Sequence, residues 1–154
     1  MRCRHCTSEL KHELIDLGVQ PPSNSYIKAG DLDKTEQYFP LKVYFCSVCY
    51  LFQTAEVTRK ETFFNEDYAY FSSISQTYLT HAWTYVNDMI RQYDINTSSF
   101  VIEVASNDGY LLKNFIEKKI PCLGIEPTKS TAQKSAALGI NTLIEFYGTD
   151  TALH

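Results

Sequence analysis

Four cysteines fall in two pairs, Cys3-Arg4-His5-Cys6 and Cys46-Ser47-Val48-Cys49. The turn inside each pair points both sulfurs the same way, and two such turns can close a tetrahedron of thiolates around Zn²⁺. Further along, two carboxylates, Glu103 and Glu126, bracket a turn of small residues running Val104-Ala105-Ser106-Asn107-Asp108-Gly109. The first constellation is metal-binding chemistry. The second is the kind that grips a small organic ligand by its backbone and a ribose.

The elements that must carry these residues read as three segments. Residues 1–55 are short strands and loops: Pro21-Pro22-Ser23-Asn24-Ser25 breaks any regular element, and Leu41-Lys42-Val43-Tyr44-Phe45 and Tyr50-Leu51-Phe52-Gln53 are strand-like on either side of the second cysteine pair. Residues 56–98 hold an aromatic loop, Phe63-Phe64-Asn65-Glu66-Asp67-Tyr68-Ala69-Tyr70-Phe71, and then a helix from about residue 75 to 93. On that helix Tyr78, Leu79, Ala82, Trp83, Val86, Met89 and Ile90 recur at three- and four-residue steps. Residues 99–154 alternate strictly. Strands are expected at 100–104, 122–126 and 141–146, with helices at 110–119 and from Thr128 to Leu138, the latter capped by Thr128 and closed by Gly139. Such β-α-β-α-β order predicts three parallel strands of a Rossmann-like sheet. The fold class is therefore α/β: a small β-rich zinc-binding domain, a connecting helix, and the first half of a Rossmann-like domain.

Bulk properties narrow the function. The chain has 154 residues, 44% apolar and 21% charged, with a net charge of −4 and no basic run, so no nucleic-acid footprint is expected. No stretch approaches the roughly 20 apolar residues of a membrane span, and no apolar leader follows Met1. The expected setting is the cytoplasm, where paired cysteines more often bind metal than form disulfides.

For the cysteines, structural zinc on Cys3, Cys6, Cys46 and Cys49 competes with a disulfide or redox role. The 39 residues between Cys6 and Cys46 exceed the usual ribbon spacing, so residues 7–45 must form an inserted excursion. His5 sits inside the turn and is not expected to ligate. Cys122 reads as a small buried hydrophobe.

For the turn, the frame E-x-G-x-G-x-G aligns with Glu103, Ala105, Asn107 and Gly109. Only the last glycine is literal, but alanine is nearly as small and asparagine tolerates left-handed dihedrals. The G-x-G-x-x-G pyrophosphate fingerprint is absent, which disfavours NAD and FAD. Glu126, ending the second strand, is placed to accept from ribose hydroxyls. The pair of acids suits S-adenosylmethionine, which carries no phosphate. A turn that has lost its ligand is the competing reading.

Taken together, the paired Cys-x-x-Cys, Tyr68-Ala69-Tyr70-Phe71-Ser72-Ser73, Gln76-Thr77-Tyr78-Leu79-Thr80-His81-Ala82, residues 103–112, Gly124-Ile125-Glu126-Pro127 and residues 141–149 stand in one order. The chain resembles the zinc-containing, S-adenosylmethionine-dependent C-methyltransferases of nucleotide-linked deoxysugars along essentially its whole length. That resemblance implies a cofactor site at Tyr70, Glu103, Ala105, Ser106, Asn107, Gly109 and Glu126. It also implies that Tyr78 and His81 meet a nucleotide-linked keto-sugar and steady its enolate, although an ordinary core would equally account for Tyr78 on the apolar stripe and His81 at its edge. It further implies a longer chain with a third domain and the general base. The expectation is thus an amino-terminal part of an enzyme, with its first parallel strand left as an edge open to association, weak cofactor binding and no turnover alone. The alternative is a non-catalytic zinc module with a degenerate Rossmann half that contacts a partner chain. A nucleotide-sugar oxidoreductase stands further off, since the phosphate-binding glycines are missing.

Overall fold

The computed structural model of the chain describes residues 1–55, 58–66 and 68–153. Residues 56, 57 and 67 of the expected middle segment, and residue 154 of the last, lie outside the described residues. The molecule is mixed α/β and divides into two compact units, Met1–Phe63 and Phe64–His154.

In the first unit, β1 (His12–Gln20), β2 (Phe39–Phe45) and β3 (Phe52–Thr54) form an antiparallel sheet in the order β1-β2-β3. β1 is nine residues long, where only short elements are expected from the sequence. The pairing of β1 with β2 slips between Glu13 and Ile15 and again between Asp16 and Val19. These slips break the two-residue alternation that would have advertised a strand. Across the sheet, the Lys42 ammonium lies 3.1 Å from Glu13 and 2.7 Å from Asp16. The strand after the second cysteine pair starts at Phe52 and not at Tyr50. Tyr50 takes φ 64° to close the cysteine turn, which a strand residue cannot do. A single helical turn, α1 (Lys60–Phe63), follows, with Phe63 packed against Phe39 at 5.9 Å between ring centroids.

The second unit opens with the Phe64 loop and α2 (Gln76–Tyr93). Ser75 caps α2 by accepting from the Tyr78 N–H, and Asp94 ends it at φ 51°. Then β4 (Val101–Val104), β5 (Cys122–Ile125) and β6 (Asn141–Leu143) pair in parallel, in the order β4-β5-β6. Val86 of α2 is fully buried against Leu112, Phe115, Ile120, Cys122 and Ile140, with Val101 and Ile90 beside them. Thr142 on the same sheet face bonds Ser135 of α4 (Lys129–Ala137) at 2.8 Å. Helices therefore cover the face that carries Val101, Cys122 and Thr142. On the opposite face Ile102 and Val104 are about half exposed, and β4 is a sheet edge.

The second unit departs from the sequence expectation in several places. The helix expected over 110–119 contracts to α3 (Lys113–Ile116), framed by tighter turns such as Phe115 N–H to Leu112 O at 2.9 Å. The buried Asn114 amide donates to the Tyr110 and Leu111 carbonyls and competes with the regular ladder there. β6 stops at Leu143, whose carbonyl accepts from the N–H of Glu126, just past the end of β5. α5 (Thr149–Leu153) was not anticipated. No helix among the described residues is long and apolar enough to cross a membrane.

Leu112 has no exposed surface and sits at the centre of the second unit's core. Leu112→Ala is expected to cost about 2–5 kcal/mol, since the buried site collapses only partly. A lowered urea midpoint at unchanged slope checks this.

Candidate metal centre and organic-ligand cleft

The two cysteine pairs build matching turns. The Thr7 N–H returns to the Cys3 carbonyl and the Tyr50 N–H to the Cys46 carbonyl, each at 2.9 Å, with Thr7 and Tyr50 both left-handed at φ 61° and 64°. Cys3 and Cys46 are buried. The sulfur atoms of Cys3 and Cys49 lie 3.6 Å apart, as do those of Cys6 and Cys46. All four lie within 4.8 Å of one another. A ZnS₄ tetrahedron with bonds of about 2.3 Å has edges of about 3.8 Å, so the four sulfurs fit a zinc ion. These close contacts run between the turns and exceed the roughly 2.05 Å of a disulfide, which disfavours a bond within either Cys-x-x-Cys. His5 is exposed and outside the set.

The electrostatics of the cluster suit a cation. The backbone N–H of Cys6, helped by Gln53 and opposed by burial, holds the Cys3 thiol down at about 6. Cys49 has a favourable backbone contact from Leu51, yet burial and the three neighbouring sulfurs push it up to about 12. Four thiolates coexist here only around a positive ion. The buried Gln53 supports the cluster from outside: its Nε2 donates to Cys3 Sγ at 3.2 Å while its Oε1 accepts from the Arg4 N–H at 3.1 Å. Gln53 was not singled out from the sequence; nothing in the spacing marks it. Beyond the cysteines the buried core here is Leu10, with Tyr44 against it. Four protein ligands would leave a bound ion no open position, the arrangement of a structural site.

In the second unit, a cleft of about 460 Å³ opens above the turn after β4. Tyr70, Ala105, Asn107 and Glu126 of the expected cofactor residues line it, and Tyr78 reaches it from α2. Glu103, Ser106 and Gly109 do not. Ser106 is fully buried and packs on Gly124, where an added Cβ would lie 2.5 Å from Ser106 Oγ. Gly109, at φ 79°, lets the turn press on α4 and on the residue before β6: a Cβ there would meet Ile140 at 2.5 Å and Ser135 at 2.9 Å. Ala105 and Asn107 take φ 60° and 50°, so both stand in for glycine in backbone terms.

Glu126 has two duties. Its Oε2 accepts from the Asn107 N–H at 2.9 Å, and its Oε1 accepts from the Thr128 N–H at 2.9 Å and from the Thr128 hydroxyl. The expected Thr128 cap is therefore corrected: its side chain turns to Glu126 and Thr131 and does not cap the helix. A carboxylate offers about four acceptor sites, so one remains for a ligand. The Asn107 side chain is also engaged. Its Oδ1 accepts from the Ser72 N–H at 2.9 Å, its Nδ2 donates to the Tyr70 carbonyl at 3.1 Å, and Asp108 Oδ2 accepts from the Ser73 N–H at 3.1 Å. These bonds pin residues 70–73 as one wall. Phe64, Tyr68, Phe146 and Tyr147 complete an aromatic lining that sequence reasoning missed. The sequence marked the aromatic loop and residues 141–149 but not that they meet at one cleft, and a core consumes aromatics just as readily.

Tyr78 and His81 are brought together, with near-parallel rings whose centroids are 6.4 Å apart. His81 does not line the main cleft. It lines an adjoining one of about 270 Å³ with Tyr78, Tyr85 and Tyr110.

Two tests follow. Zinc titration should find one ion per chain, and Gln53→Ala should lower its affinity about tenfold by removing the outer hydrogen bonds. Burial first, then the Asp108 and Glu126 charges, push Glu103 from 4.5 up to about 8, and its Oε2 is buried without a partner. Because the unfolded chain releases this proton near 4.5, stability attributable to Glu103 is complete below that pH and lost as pH rises towards 8. Glu103→Gln should flatten that slope and raise stability at pH 8 by on the order of a few kcal/mol, read by denaturation at several pH values.

Among protein families, the model Methyltransf_13, described as "Putative zinc binding domain", matches residues 3–64 and so spans the four-cysteine centre. Its name ties such a zinc head to methyltransferases. No curated protein matches the chain.

Proposed function

We propose that the chain serves an S-adenosylmethionine-dependent C-methyltransferase of nucleotide-linked keto-deoxysugars, with its parallel sheet as the Rossmann-like cofactor-binding layer. The observation that carries the cofactor reading is the lining of the larger cleft. A carboxylate with acceptor capacity left, left-handed small residues and aromatic walls meet there, and no lysine, arginine or histidine lines it among the described residues. A pyrophosphate would find no cation, whereas a sulfonium is drawn to aromatic faces and a ribose to Glu126.

When bound, S-adenosylmethionine supplies an electrophilic methyl and leaves as S-adenosylhomocysteine. This chain's residues bind and orient. Glu126 and Asn107 hold the turn, and residues 70–73 form the wall that limits water at the cleft. On the acceptor side, loss of a proton from the carbon next to the ketone places negative charge on the ketone oxygen. Tyr78 and His81, three apart on α2 and stacked, would donate hydrogen bonds to that oxygen. The resemblance in motif order supports the sugar acceptor, and the second cleft beside Tyr78 supports its location.

Saturation-transfer NMR, which detects weak ligands, tests the cofactor. Adenosine protons of S-adenosylmethionine and S-adenosylhomocysteine should receive saturation from the protein, while NAD and ATP at equal concentration should not. Equal or stronger transfer to NAD, or none to either sulfur compound, would overturn the reading.

A further inference from the structure

Tyr78 and Tyr110 are shared by the larger and the smaller cleft, so together they form the seam between them. They come from distant parts of the sequence, one on α2 and one just past the turn after β4. Their rings stack with centroids 4.9 Å apart and planes 21° from parallel, and their hydroxyls lie 3.2 Å apart. A stacked pair joined at its polar tips has both orientation and tilt fixed, more than either contact alone provides. The His81 ring also lies near that of Tyr78, nearly parallel at 6.4 Å between centroids.

The surroundings of the pair favour a neutral Tyr110. Tyr110 is more enclosed and keeps its proton: burial first, then the bond to Tyr78, then the Glu103 carboxylate on β4, with Tyr70 in the loop acting the same way, all disfavour its phenolate. Among the described residues, the titratable groups near the pair include Glu103, Tyr70, His81 and Tyr85. Either hydroxyl can donate across this contact; when Tyr110 donates, the Tyr78 proton is free to point towards a third oxygen, and a phenol that accepts one hydrogen bond donates a stronger one.

We infer that Tyr110 is a positioning residue, whose ring and hydroxyl fix the Tyr78 hydroxyl at the seam where a group leaving the larger cleft enters the smaller one. This rests on the proposed function, which makes the two clefts donor and acceptor sites. It adds a residue that no sequence motif marked for this role. Tyr110 lines both clefts, and the role assigned to it here is exerted through Tyr78.

The test uses the full chain carrying tyrosine labelled with ¹³C at Cζ, a carbon whose shift reports hydrogen bonding at the phenol oxygen. Tyr110→Phe keeps the stacked ring and removes only the hydroxyl. The expected result is a displaced Tyr78 Cζ resonance at neutral pH. Tyr85, two turns further along α2, should stay unmoved, and the thermal midpoint should be nearly unchanged. A structural role for the ring alone would leave the Tyr78 resonance in place, and that outcome overturns the inference. Should Tyr110→Phe fail to fold, the reciprocal Tyr78→Phe must displace the Tyr110 resonance, and its failure to do so is equally fatal. Added S-adenosylhomocysteine separates the two claims. If it displaces both tyrosine resonances in the unsubstituted chain, the donor assignment of the larger cleft gains support. If it displaces neither, the cofactor reading falls while the pairing stands on the variant spectra.

Discussion

The Glu126 carboxylate holds the second unit's cleft together. It sits 4% exposed at the end of β5 and receives donors from two sides: the turn after β4 through the Asn107 N–H, and the start of α4 through Thr128. A buried carboxylate is costly unless its oxygens are satisfied, and here three donors meet that cost. The bond to Asn107 holds the turn in its left-handed course, and the Asn107 side chain then fixes residues 70–72. One acid therefore links strand, helix and aromatic wall in series. Removing it would leave the Asn107 and Thr128 N–H groups unpaired as well as taking an acceptor from the cleft.

The first unit depends on a different constraint. Its sheet is thin and its apolar side chains, Leu14, Leu17 and Val19 among them, are largely exposed. Its buried cluster consists mainly of sulfur. A segment of this size gains little from burial alone. Order comes from a four-point crosslink between residues near position 3 and residues near position 46, closed around an ion. The long excursion from Thr7 to Phe45 is tolerated because loop closure costs grow only slowly with length.

Legibility in the sequence followed the range of the interactions. The metal set was readable because its geometry is local to two short turns. α2 and the three parallel strands were readable because periodicity and β-branched runs are local as well. β1 was not: its register shifts erase alternation, and only pairing with β2 reveals it. The length of α3 was misjudged because Asn114 diverts two carbonyls, a choice decided by its burial. In the ligand turn, the left-handed roles of Ala105 and Asn107 agree with the E-x-G-x-G-x-G frame. The structure places Glu103, Ser106 and Gly109 away from the cleft, where they shape the turn by packing and not by lining it. The aromatic wall is tertiary in origin, since Phe64, Tyr68 and Phe146 meet only once residues 70–73 are hooked to the turn.

That hook bears on how the ligand turn could be re-engineered. Restoring the glycine-rich consensus at position 107 would look like an improvement by motif, because glycine adopts the same backbone angle freely. It would also delete a side chain that bonds both Tyr70 and Ser72, loosening an entire flank of the recess. In this chain the departure from consensus doubles as a fastener, and a redesign toward dinucleotides would have to re-anchor residues 70–73 before adding any phosphate grip.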